Sequence, residues 1–194
     1  MDDKSSAYVL LLRGVNVGGK NKVPMVKLRE LLTKEGFSNV STYINSGNIL
    51  LDSSENAEII KARVRTLIDR NFSKNISMLL LDGRDYLKEA SLLPKWWNKA
   101  MARKDVLFLT DEADPSKVRQ RIEQIPLFNE IVSFGNRVVF WGKCTEKEYS
   151  KTAYHRLLLK EAFYPHITIR NGRTFDKIAE MLEERILQGG AHLI

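Results

Sequence analysis

The stretch RGVNVGGKNKVP, Arg13 to Pro24, packs three glycines and the cations Arg13, Lys20 and Lys22 into one short loop. Inside it, GVNVGGKN falls one residue short of the phosphate-loop pattern G-x-x-x-x-G-K-[ST], because Asn21 stands where the pattern needs a hydroxyl to hold magnesium. Pro24 also places the start of the next helix several residues beyond Lys20, whereas a true phosphate loop opens its helix at the Gly-Lys. No apolar strand ending in a magnesium-binding aspartate stands out either, so a nucleoside triphosphatase loop is set aside. What survives is simpler chemistry. Gly14, Gly18 and Gly19 permit positive φ and close backbone approach, while Arg13, Lys20 and Lys22 put positive charge at a helix N-terminus, the outline of an anion site. The turn YINSGN adds Asn45, Ser46 and Asn48, short polar groups able to bond phosphate oxygens, sugar hydroxyls or base edges. The competing reading makes the glycines a long ordered turn, has Asn16 and Asn48 bonding nearby backbone, and leaves the lysines solvated.

Other chemistry-bearing residues are more scattered. His155 sits in a segment with Lys147, Lys151 and Tyr154 and could act as a base or a phosphate contact, but the sequence places no carboxylate to orient it. His166 and His192 lack ligand spacing, so no metal is expected, and nothing implies a cofactor. The turn IRNGRT sets Arg170, Asn171 and Arg173 before a helix expected to be capped by Thr174, a second local anion signature. Base-stacking aromatics are nearly absent from YVLLLR and NILLDS, and of Phe140 and Trp141 only one can face outward from a strand.

These groups need elements to hold them. AYVLLL reads as a strand; Met25, Leu28, Leu31 and Leu32 repeat at helical spacing; STYIN and NILL flank Ser46-Gly47 as a hairpin; Ile60, Val64, Leu67 and Ile68 mark a second helix; ISMLLL is a strand ending at Asp82-Gly83. The order returns from Asp105: DVLFL, a short helix at Asp114-Pro115, a hairpin turning at Gly135-Asn136, a helix over 146–163, HITIR, and a closing amphipathic helix carrying Phe175, Ile178, Ala179, Leu182 and Ile186. The expected fold class is therefore α+β: a tandem duplication of two ferredoxin-like βαββαβ antiparallel-sheet sandwiches with an extra C-terminal helix. Residues 7–83 form the first repeat, 84–104 a packed connector with the Trp96-Trp97 pair, and 105–194 the second repeat plus the helix. Aligning the Gly-Asn of SGNILL with that of FGNRVVF gives the register of the duplication, and the first repeat then has a surplus that fits the glycine loop. In a 4-1-3-2 sheet the first and second strands run the same way, so the glycine loop should face the YINSGN hairpin.

RGVNVGGKNKVPM, TYINSGN and ITIRN together make the chain resemble a bacterial family, domain of unknown function 1697, from about Tyr8 to the last helix. The resemblance implies a cytoplasmic bacterial protein with a two-part α+β fold and no assigned activity, cofactor or catalytic residues. Members usually carry Trp after the Arg-Asn of the third motif, where this chain has Gly172.

A net charge of +7 and a pI near 9.5 favour polyanionic or phosphorylated partners, although a solvated basic surface has the same signature. One cysteine, Cys144, rules out an internal disulfide and fits a reducing compartment, and the apolar run at 7–12 is too short for a signal sequence or a membrane span. The functional expectation is a soluble binding protein for a phosphorylated or polyanionic ligand, a nucleotide or a nucleic acid. The ligand would be held by Arg13, Asn16, Gly18, Gly19, Lys20, Lys22, Asn45, Ser46 and Asn48. Two alternatives stay open: an enzyme on an acidic small molecule with His155 or Tyr154 as acid–base group, and a protein-interaction module using a sheet face or the tryptophan connector.

Overall fold

The computed structural model describes residues 5–18, 21–72 and 75–190. The chain divides into two compact units, Met1–Lys88 with Ile178–Ile194, and Glu89–Lys177.

The first unit runs β1 (Ser6–Leu12), α1 (Met25–Lys34), β2 (Ser38–Tyr43), β3 (Asn48–Ser53), α2 (Ala57–Asn71) and β4 (Met78–Asp82). The strands form one antiparallel sheet in the order β2-β3-β1-β4. Alternation along each strand explains the core: Tyr8, Leu10 and Leu12 join Ile49, Leu51, Met78 and Leu80 on the face that meets α1 and α2, where Leu28, Leu32, Ile60, Val64 and Ile68 supply the helical stripes. The intervening residues Val9, Leu11, Leu50, Leu79 and Leu81 are buried too, so this sheet offers no open face for stacking bases. α3 (Gly83–Ser91) follows β4, its Arg84 amide donating to Asp82 Oδ1.

The second unit runs β5 (Arg103–Leu109), α4 (Pro115–Glu123), β6 (Glu130–Phe134), β7 (Val138–Lys143), α5 (Ala153–Arg156) and β8 (Ile167–Asn171), again one antiparallel sheet, ordered β6-β7-β5-β8. Asp114 caps α4 through its carboxylate, which accepts from the Ser116 and Lys117 amides, and Pro115 fills the first turn where no amide is needed. α6 (Gly172–Gly190) closes the chain: its Phe175 packs edge-on against Trp97 and Phe140 in the second unit. In the first unit its Arg185 binds Asp52 Oδ1 at 2.8 Å and Ser41 Oγ at 2.9 Å.

The backbone corrects several expectations. Residues 146–163 are not one helix: they break into the 3-10 turns Tyr149–Lys151 and Leu158–Lys160 with the four-residue α5 between them. Thr152 Oγ1 caps α5 afresh at the His155 amide, and the Glu130 carboxylate takes the Ala153 and Tyr154 amides, so local acceptors replace a continuous helical ladder. Asn171, not Thr174, caps α6, accepting from the Thr174 amide at 2.8 Å. Both Phe140 and Trp141 are fully buried. The hairpin register also shifts. Leu12 N donates to Gly47 O and Leu109 N to Arg137 O, both at 2.8–2.9 Å, while Arg13 N donates to Ser77 O and Thr110 N to His166 O. Gly47 thus corresponds in its bonding to Arg137 and not to Gly135. Measured between those bonded pairs, the first connection is still longer by seven residues, Leu12 to Gly47 against Leu109 to Arg137.

Candidate functional site

The loop after β1 is built around one side chain. Asn16 Nδ2 donates to Val23 O and to Asn45 O, both at 2.8 Å, and its Oδ1 accepts from Val23 N at 2.8 Å. A third contact joins Asn16 Nδ2 to Asn45 Oδ1 at 3.2 Å. Asn16 therefore ties the two ends of its own loop together and fastens both to the β2–β3 hairpin. The side-chain amide can do so because it offers two donors and one acceptor in a fixed plane. Asn21 closes the loop from the other side, its O accepting from Asn16 N at 3.2 Å and its Nδ2 donating to Gly14 O at 3.3 Å.

The backbone alternates in hand. Gly14, Asn16 and Gly18 have φ of 64°, 57° and 58°, and Asn21 has 47°, while Val15 and Val17 between them are not left-handed. Alternation of hand is one element of backbone anion nests, though here Val17 lies in a β-bridge and the Asn16 amide is already held by Asn21 O. A Cβ on Gly18 would meet nothing within 4 Å, so this part of the loop borders open space. At Gly47 the situation is opposite: with φ +76°, a Cβ there would lie 2.7 Å from Leu12 Cβ and 2.8 Å from Val15 Cγ2. The hairpin needs glycine at this position because it lies directly on the loop. Ile44, half exposed at the hairpin tip, holds φ +47°, a conformation that a β-branched residue adopts only under constraint.

The structure joins Asn16 of the loop to Asn45 of the hairpin, and the remaining proposed residues have unequal roles. Asn48 is fully buried, its Nδ2 donating to Tyr43 O and Ser46 Oγ at 3.0 Å each, so it braces the turn, as does Ser46. Asn16 and Asn45 are joined to each other. Lys22 and Gly18 are exposed and Arg13 is half-buried at the end of β1. Gly19 and Lys20 lie outside the described residues, as does His192.

Elsewhere the candidates separate. His155 is exposed on the short α5, with the Tyr149 ring 5.0 Å away. Arg170 is buried, donating to Thr168 Oγ1 and Ile169 O at 2.9 Å. The tryptophans pack inside the second unit: Trp96 Nε1 donates to Ser133 Oγ and Trp97 Nε1 to Asp176 Oδ1. Both are buried, so the connector presents no exposed indole pair. Among the described residues no group of three or more His, Cys, Asp or Glu could hold a metal ion, and no helix is long and apolar enough to cross a membrane.

Sequence reasoning missed a buried charged cluster in the second unit. Lys143 Nζ lies 2.8 Å from Asp105 Oδ2 with both side chains essentially inaccessible, and Arg103 Nε reaches the same carboxylate oxygen at 2.8 Å. The ammonium sits 3.3 Å from the centroid of the Tyr154 ring. Burial lowers Lys143 below its ordinary range, with Asp105 opposing, and burial followed by the Asp105 charge raises the Tyr154 hydroxyl. The signal was strand parity. Asp105 alternates with Leu107 and Leu109, and Lys143 with Trp141 and Val139, so both charges belong to the face of the apolar core.

The comparisons with known proteins agree with this architecture. A conserved bacterial protein from Streptococcus pneumoniae, of known structure, superposes with a TM-score of 0.85 at 46% sequence identity, over 92% of this chain and 99% of that one. No curated protein matches the chain. The family model described as Protein of unknown function (DUF1697) matches residues 6–140, and the chain belongs to that family.

Proposed function

We propose that the protein is a binding module for a phosphorylated or polyanionic ligand, a nucleotide or a nucleic acid, received by the loop from Arg13 to Lys22 where it meets the β2–β3 hairpin. The observation that carries this reading is the alternating backbone at Gly14, Asn16 and Gly18, held rigid by the Asn16 clamp. A loop fixed before binding loses little freedom when an anion enters, which is the advantage of preorganisation. In this reading Arg13 and Lys22 supply charge at the rim, Gly18 admits the ligand, and Asn16, Asn45, Ser46 and Asn48 are scaffold rather than contacts. The net charge of +7 assists by drawing polyanions to the surface.

The same proposal takes the fold as two ferredoxin-like repeats related by duplication. It is supported by the matching strand orders and by equivalent backbone bonds within each unit, Leu12 N to Gly47 O like Leu109 N to Arg137 O, and Arg13 N to Ser77 O like Thr110 N to His166 O. It places the protein in the cytoplasm, in keeping with one free cysteine, Cys144.

The test is fluorescence anisotropy with single-stranded RNA, single-stranded DNA and labelled nucleotides at two salt concentrations, on the wild-type chain and on Lys22→Ala. Lys22→Ala should weaken binding and, for a single-stranded nucleic acid, lower the log–log salt slope by about 0.7 for one lost phosphate contact. Absence of binding, or an unchanged affinity in the variant, overturns the assignment.

A further inference from the structure

The corner that the glycine loop fills in the first unit is open in the second. By the bonds to Gly47 and Arg137, Leu12 and Leu109 hold the same place in their sheets. In the first unit Val15 drops into this corner, buried beside Leu12 and touching the space over Gly47. In the second unit the connection is seven residues shorter: Asp111 reaches the hairpin at Arg137 and the small Ala113 is buried in the core, but no branched side chain of the connection lines this corner. A cavity of about 250 Å³ remains there, between the start of α4, the β6–β7 hairpin and the end of β5.

Its chemistry is specific. Leu109, Phe134, Val138 and Val139 give an apolar floor, suited to the kind of branched body that Val15 supplies in the first unit. The backbone donors at the mouth are already occupied by acids. Asp114 takes the Ser116 and Lys117 amides of α4, and the buried Glu89 carboxylate takes the Asn136 and Arg137 amides of the hairpin at 3.0 and 2.7 Å. One cation lines the cavity, Arg119, whose guanidinium lies 4.9 Å from the centroid of the Phe134 ring and whose Nε donates to Glu123. Its two terminal amino groups match a carboxylate in plane and spacing. With the Ser116 and Asn136 amides already taken, a dianionic phosphate would have Arg119 as the one cation among the lining residues.

We infer that this cavity binds a small monocarboxylate with a branched aliphatic or aromatic body, the body over Leu109 and Val139 and the carboxylate on Arg119. The volume lies just under the range of drug-sized pockets, so the ligand is of fragment size. This site is independent of the glycine loop.

The experiment is an NMR titration of the full chain with 3-methylbutanoate, with benzoate, with the neutral 3-methylbutanamide, and with inorganic phosphate. Saturable shifts at Ser116, Phe134 and Val139 with either acid are expected, at least tenfold weaker in Arg119→Met, tenfold weaker with the amide, and unchanged in Lys22→Ala. Arg119 is exposed on a helix, so the variant leaves the fold intact, and its spectrum away from the cavity verifies this. No saturable shift with either acid overturns the inference. So does equal binding of the amide, an unchanged affinity in Arg119→Met, or a response to phosphate in place of the carboxylates.

Discussion

Asn16→Ala measures how much of the loop's order rests on one side chain. The substitution removes three bonds of 2.8 Å, to Val23 O, Val23 N and Asn45 O. At about 1 kcal/mol net each, these amount to about 3 kcal/mol, and alanine held at the left-handed φ of 57° adds about 1 kcal/mol. Asn16→Gly removes the same bonds without the backbone strain, so the difference between the variants isolates the conformational part. The assay is hydrogen exchange of the Val23 amide, whose acceptor is the Asn16 side chain, alongside urea unfolding followed by a probe in the first unit. A local loss of about 3 kcal/mol corresponds to faster exchange by roughly a hundredfold. Unchanged protection at Val23, or a loss under about 1 kcal/mol in Asn16→Ala, would refute the view that Asn16 organises the corner.

Gly47→Ala places a methyl group against Leu12 and Val15 at a positive φ, and unfolding should show a cost of about 2–4 kcal/mol. In the second unit, Asp105→Ala leaves the buried Lys143 ammonium without its carboxylate and should destabilise by about 3–5 kcal/mol in urea titrations. Lys143→Met should cost less, because Arg103 still pairs with Asp105. The Tyr154 hydroxyl, raised by burial and by Asp105, keeps its proton in the folded chain after the unfolded chain has begun to lose it near pH 10.0. Its contribution is full below that pH and falls as pH rises beyond it, so stability should decline above pH 10, and Tyr154→Phe should remove that part of the slope.

Much of the scaffold was legible in the sequence because single elements carried redundant signals. β1, β3 and β4 are continuous apolar runs, α1 and α2 show clean helical spacing, and Asp114-Pro115 announces the start of α4. The approach of the loop to the hairpin followed from strand order, and the Asn16–Asn45 bond realises it. What escaped depends on partners remote in sequence. Glu130 reorganises the segment that begins at Ala153 by binding two of its amides, which no local pattern reveals. Glu89 holds the hairpin at Asn136 from 47 residues away. The polar residues of YINSGN could equally have faced a ligand or their own backbone, and only the folded hairpin distinguishes Asn48, buried and donating to Tyr43 O, from the exposed Asn45.

The most direct test of the central claim is the crystal structure of the protein soaked in phosphate, compared with that of Lys22→Ala treated in the same way. The account predicts an anion against the backbone of the Gly14–Gly18 turn in the wild-type crystal, lost or depleted in the variant. An empty turn at high phosphate, or equal occupancy without Lys22, would contradict it.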